Sequence, residues 1–175
     1  MMYELEGSKP NIHPDVAYIA ESAVIIGDVE IGPGCTIFDN VVIEGFPMKI
    51  KIGKCTNIQS NSSIHGLKNS DTNIGDYCTI GHRSIVHGCT LEDYVTVGLG
   101  STIMGKSTLK KGCFVGANAL ITEDLTFDER SLILGVPGKV KKTLPRSSVQ
   151  EAKQNALHYE KYGKLLAKNL TKIEN

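Results

Sequence analysis

The feature that most restricts this chain is a spacing. Large apolar side chains recur at every sixth position: Ile19, Ile25, Ile31, Ile37 and Ile43; then Ile52, Ile58 and Ile64; then Ile74, Ile80 and Val86; then Leu91, Val97, Ile103, Leu109, Val115, Ile121, Phe127 and Ile133. Two residues before most of them stands a smaller side chain, as at Ala23, Cys35, Ser62, Cys78, Ser84, Cys89, Ser101 and Cys113. A period of six is neither the 3.6 of a helix nor simple alternation. Residues two apart in extended chain share a face, so short strands carry a large and then a small residue inward. Glycine follows the large residue at Gly32, Gly53, Gly75, Gly81, Gly98 and Gly116, where its backbone freedom suits a sharp corner. Such a chain is expected to wind short strands and corners into coils, each covering the one before.

The pattern resembles the hexapeptide-repeat family over residues 10–142. That resemblance implies an all-β fold, a left-handed parallel β-helix with triangular coils of about eighteen residues. The left hand is an exception to the usual right-handed crossover. Four cysteines, Cys35, Cys78, Cys89 and Cys113, fall in the small inward slot and read as packing residues. The period stops after "GVPGKVKK" (135–142). Ala152, Ala156, Tyr159, Gly163, Leu166, Leu170 and Ile173 then alternate in steps of four and three, one stripe of an α-helix. Ser148 and Glu151 have capping-box spacing at its start. The expected organisation is a β-helix domain over 1–146 and, over 147–175, a C-terminal helix packed on its outside.

Charge and composition narrow the function. Nineteen basic residues balance nineteen acidic ones, which argues against a nucleic-acid partner. No apolar run approaches the ~18 residues of a membrane span. The segment "MMYELEGSKP" lacks the apolar core of a signal peptide, so a cytoplasmic location is expected. Five cysteines without a C-x-x-C pair argue against a zinc ribbon or a redox motif.

The six-residue ruler also registers the histidines. His65 follows Ile64 and His87 follows Val86. The loop "GLKNSDTN" between them adds four residues to the repeat. With those set aside, the two histidines stand in the same slot one coil apart, about 4.8 Å, pointing outward. His82, two places after Ile80, belongs to the preceding face or its corner and does not reach the pair within its own chain. A three-sided prism suits a threefold trimer, in which His82 of one subunit meets His65 and His87 of the next. Three histidines with an open position make a catalytic zinc site, whose water ionises near neutral pH. His13 and His158 lie outside this register and read as surface residues.

"NIQSNSSIHG" followed by "IGHRSIVHGCTLEDYVTVGLGS" resembles the γ-class carbonic anhydrases. The resemblance implies a homotrimer that holds zinc between subunits; iron or cobalt also suits imidazole ligands. It implies His65 and His87 as metal ligands with His82 from the neighbour. Asn57 and Gln59 match the family's asparagine and glutamine, the latter bonding the metal-bound water or bicarbonate, and Tyr159 matches a tyrosine near the site. The implied activity is reversible hydration of carbon dioxide by a metal-bound hydroxide. The sequence departs from the family at Glu44-Gly45-Phe46, where arginine-glycine-aspartate is usual, and at Ser60, where aspartate is common. Glutamate at the arginine position repels an anion. Loop 66–73 carries Lys68 and Asp71 but none of the glutamates of a proton shuttle; Glu44 and His158 are candidate substitutes. Two further readings follow from the same residues. One is a hexapeptide acyltransferase with a single histidine base; "GVPGKVKK" resembles a segment common in that group, which also occurs in the anhydrases. The other is a catalytically weak or inactive metal-binding homologue, suggested by Glu44, Phe46 and Ser60.

Overall fold

The computed structural model describes residues 1–173; the last two positions of the expected 147–175 unit lie outside them. The chain forms a parallel β-solenoid of about seven turns with one C-terminal helix. One face stacks the first part of Val42–Ile52 with Ser63–His65, Ile85–His87, Thr102–Ile103 and Leu120–Ile121. The second stacks the last part of Val42–Ile52 with Thr72–Ile74, Thr90–Leu91, Thr108–Leu109 and Thr126–Phe127. The third runs from Tyr18–Ile19 through Thr36–Ile37, Asn57–Ile58, Thr79–Ile80, Thr96–Val97 and Phe114–Val115 to Ser131–Leu134. There Lys139–Thr143 pairs antiparallel and ends the stack.

The repeat explains this architecture directly. Ile25, Ile43, Ile58, Ile64, Ile80, Val86, Val97, Ile103, Ile121 and Ile133 are all fully buried, each contributing about 1.5–3 kcal/mol by leaving water. Each sits on its equivalent one coil away, as Ile43, Ile64, Val86 and Ile103 do in one column. The corner before the Ile85–His87 face is made by one residue per coil at positive φ: Asn40, Asn61, Arg83, Gly100 and Asn118. Asparagine and glycine tolerate that region best. Gly81 and Gly98 stand just ahead of this corner. A Cβ at Gly81 would lie 2.7 Å from the Leu99 nitrogen, and one at Gly98 would lie 2.6 Å from the Ala117 nitrogen. Their absence lets successive coils approach.

The helix Ser147–Asn169 lies over the third face. Ala156 and Gly163 are buried beneath it, and a Cβ at Gly163 would meet the Thr36 hydroxyl at 2.6 Å. Two parts of the expected helix are corrected. Ser148 does not cap: its hydroxyl donates to the Pro145 carbonyl at 2.8 Å, and the cap residue Arg146 makes no side-chain bond. The helix begins at Ser147, so Ser148 already lies inside the first turn. The apolar stripe also outruns the helix, since Leu170 and Ile173 follow its end and are 67% and 85% exposed.

Cys35, Cys78, Cys89 and Cys113 are buried in the core. Cys35 Sγ donates to the Gly53 carbonyl at 2.8 Å and Cys78 Sγ to that of Glu92 at 3.2 Å. Burial pushes the thiols of Cys35, Cys78 and Cys89 up to about 12, and that of Cys113 to about 11. An unfolded thiol, with an ordinary value of 9.0, ionises first as pH rises. The unfolded chain then holds fewer protons, and stability falls with pH across that window. Chemical unfolding at pH 7, 9 and 10 is expected to show stability declining above pH 9, and a flat profile would contradict it. These four thiols are also expected to resist alkylation at pH 8 until the chain unfolds.

Candidate metal centre

His65 and His87 are direct partners in the parallel ladder, on strands Ser63–His65 and Ile85–His87. Each follows a buried core residue, Ile64 or Val86, so the strand alternation turns both imidazoles outward. Their rings stack at 5.3 Å between centroids, with 18° between planes. The Thr72 hydroxyl donates to the His65 carbonyl at 2.6 Å and accepts from the Gly88 N–H at 2.8 Å. These bonds pin the two backbones where the inserted loop leaves the coil.

His82 stands elsewhere, at the corner between the third face and the His65/His87 face. Its carbonyl accepts from the Gly100 N–H at 2.8 Å, and the Arg83 N–H donates to the Ser60 carbonyl at 3.1 Å. The corner therefore stacks Ser60 below His82 and Leu99 above it. His82 lines a cleft of about 470 Å³ with Phe38, Asp39, Ser60, Tyr159 and Tyr162. Tyr159 packs edge-on against Phe38 at 5.8 Å, and its carbonyl accepts from the Thr36 hydroxyl at 3.1 Å.

Asn57 and Gln59 are both buried, on the third face. The Gln59 amide donates to Asn57 Oδ1 at 3.2 Å, and the Asn57 amide donates to Thr79 Oγ1 at 2.9 Å. Asn155, from the helix, donates to the same Thr79 oxygen at 2.9 Å. The fold thus joins Asn57 to Gln59, and Tyr159 to His82, but sets both pairs apart from the His65/His87 ladder of the same chain. His13 and His158 are exposed.

Three residues about these groups were not singled out by the sequence reading as partners. Thr79 holds Asn57 and is itself bonded by Asn155. Glu44 is the ladder partner of His65, and its Oε2 lies 3.9 Å from His65 Nε2. The same ruler that registers His65 with His87 reaches Glu44 once the extra residues of Val42–Ile52 are counted.

The residues fit a divalent cation in part. Two imidazoles on one tetrahedral ion, with Zn–N near 2.0–2.1 Å, have ring centres about 5 Å apart, which matches the separation of His65 and His87. Among the described residues, however, no group of three His, Cys, Asp or Glu within the chain is close enough to hold an ion. Within one chain, His65 and His87 would supply two of the donors such an ion takes.

A stack of short parallel strands under an outward pair of registered histidines defines a hexapeptide-repeat protein. The chain is 43% identical over 148 residues to the "Probable carbonic anhydrase" of Methanocaldococcus jannaschii, covering 85% of this chain and 93% of that protein. It is 34% identical over 156 residues to "Gamma carbonic anhydrase 2, mitochondrial" of Arabidopsis thaliana, covering 86% of this chain and 56% of that longer protein. Its fold matches a hexapeptide transferase family protein from Anaplasma phagocytophilum with a TM-score of 0.88 and 32% identity, over 93% of this chain and 96% of that one. No family model matches the chain. The chain belongs to the γ-carbonic anhydrase-like family of hexapeptide-repeat proteins. No helix among the described residues is long and apolar enough to cross a membrane.

Proposed function

We propose that this protein is a metal-dependent carbonic anhydrase that interconverts carbon dioxide and bicarbonate. The observation that carries the reading is the outward His65/His87 pair, in register at 5.3 Å, with the third histidine turned to another corner of the prism. In this reading the left-handed β-helix over 1–146 forms a cytoplasmic homotrimer with the helix over 147–175 on its flank. His65 and His87 bind the metal with His82 of the adjoining copy. Zinc, iron or cobalt suits these donors. The bound cation supplies a water acidified to near-neutral pKa.

The chain's own residues do the rest. Gln59 has its amide nitrogen committed to Asn57, which leaves its carbonyl end to orient the reacting water. Asn57, tied to Thr79, holds Gln59 at that angle. Tyr159 lines the His82 cleft and positions bicarbonate. Exposed Val42 and Ile85 on the histidine face, and Leu99 above His82, are 39%, 46% and 50% exposed. A neighbouring copy covering them would exclude water from the site.

Stopped-flow hydration on zinc-loaded protein tests the proposal. A carbon dioxide hydration rate well above buffer is expected, with one metal per subunit. Buffer-level rates at full metal occupancy would sink it. A second reading, acyl transfer, draws on the fold shared with the hexapeptide transferase family protein. Saturable binding of acyl-coenzyme A by a protein that takes up no metal would favour that reading.

A further inference from the structure

A glycine follows each histidine of the outward pair, Gly66 after His65 and Gly88 after His87. Both glycines are buried, each under an apolar side chain from an inserted segment. Met48, from the extra residues of Val42–Ile52, covers Gly66; a Cβ there would lie 2.5 Å from the Met48 Cβ. Leu67, from loop 66–73, covers Gly88 and reaches Gly105 one coil further on, and a Cβ at either glycine would overlap it. The two insertions are also tied to each other, since the Lys49 N–H donates to Asp71 Oδ1 at 3.0 Å.

Gly88 is the point where such cover matters. It follows the last residue of the strand Ile85–His87 and turns the chain at a φ of 62°. Glycine has more backbone freedom than any other residue, and freedom at Gly88 moves His87. The loop removes it from three sides. Leu67 packs against its Cα, Thr72 Oγ1 accepts from its N–H at 2.8 Å, and Ser70 Oγ donates to its carbonyl at 2.8 Å. The loop is itself braced. Leu67 and Ser70 exchange backbone hydrogen bonds of 3.0 and 2.7 Å across a turn that takes Asn69 to a φ of 64°.

We propose that loop 66–73 is a strap that holds the His87 rung against the His65 rung, with Leu67 and Ser70 as positioning residues for the imidazole pair. The proposal rests on the metal-site reading above. A cation binds more tightly to two imidazoles already stacked at 5.3 Å than to two it must bring together, because folding has already met the ordering cost. The segment where a proton-carrying glutamate is usual therefore serves geometry instead.

The test compares wild type with Leu67→Ala, Leu67→Met and Ser70→Ala as assembled proteins, with Zn²⁺ and Co²⁺ as probes. Leu134→Ala is the control: Leu134 covers Gly116 in the same way, on the third face and away from the histidines. In metal-free Leu67→Ala and Ser70→Ala, the Gly88 amide should exchange its hydrogen at least about 10-fold faster. Zinc affinity should fall by about 10-fold or more, and the visible absorption of the Co²⁺ form should change. Leu67→Met, which conserves volume, should restore most of both, and Leu134→Ala should alter neither. Gly88 exchange within twofold of wild type in Leu67→Ala would overturn the strap, and so would an equal loss of zinc affinity in Leu134→Ala. A wild-type protein that takes up neither ion would overturn the metal-site reading, and Gly88 exchange in the same metal-free variants would still decide whether the loop holds the His87 rung.

Discussion

Chains carrying His82→Ala and chains carrying His87→Ala are each expected to bind no metal alone, and to regain about a quarter of the sites when refolded together in equal amounts. The expectation follows from the proposal that the centre is divided between two copies. His82→Ala leaves the His65/His87 ladder whole but removes the contribution to a neighbour. His87→Ala breaks the ladder but keeps His82. In a cyclic trimer, an intact site arises wherever a His82→Ala copy presents its ladder to a His87→Ala copy. About three in four randomly formed rings are mixed, and any mixed ring has one such contact among its three. His65→Ala mixed with His87→Ala has no whole ladder anywhere and is expected to regain nothing. Each substitution is outside the core, so folding should change by no more than about 0.5 kcal/mol. Metal content by elemental analysis, followed by hydration rate, reads the outcome. Full uptake by His82→Ala alone would refute the shared centre.

The His65/His87 ladder was legible because parallel coils turn a sequence offset into a contact. Once the insertion at "GLKNSDTN" is subtracted, equal slots must be neighbours. The inward residues follow from the same period, and all four slot cysteines are core residues. Glu44 carries a different lesson. As a departure from a family pattern it reads as a lost arginine, yet its register makes it a partner of His65. The C-terminal helix was legible in kind but not in extent. Apolar spacing continues through Leu170 and Ile173, but spacing does not encode where the surface beneath a helix ends. Asn57 and Thr79 are ladder partners one coil apart, so the same ruler reaches that pair; the Asn155–Thr79 bond joins residues 76 positions apart along no common period, and only the docking of the helix on the third face reveals it.

Ile64 and Ile85 are both isoleucines on the histidine face, and replacing them is expected to act at different levels, one on folding and the other on assembly. Ile64 points inward, is fully buried, and lies between Ile43 and Val86 in the core column. Ile64→Ala removes buried methyl groups from a column that cannot close without shifting two coils. It should cost about 2–5 kcal/mol, lowering Tm by roughly 4–20 °C for a chain of this size. Because His65 is the next residue, metal affinity should weaken as the rungs lose their register. Ile85 points outward, two residues before His87, and is 46% exposed in the single chain. Ile85→Asp should leave the folding of one copy within about 0.5 kcal/mol, since the carboxylate stays in water. In a trimer that buries this face, the same carboxylate has to be desolvated without a partner, a cost large enough to dissociate the assembly. Sedimentation should then give monomer with native circular dichroism and no bound metal. If Ile85→Asp instead retains both trimer mass and metal, this face is not where copies meet, and the third ligand must approach from another side.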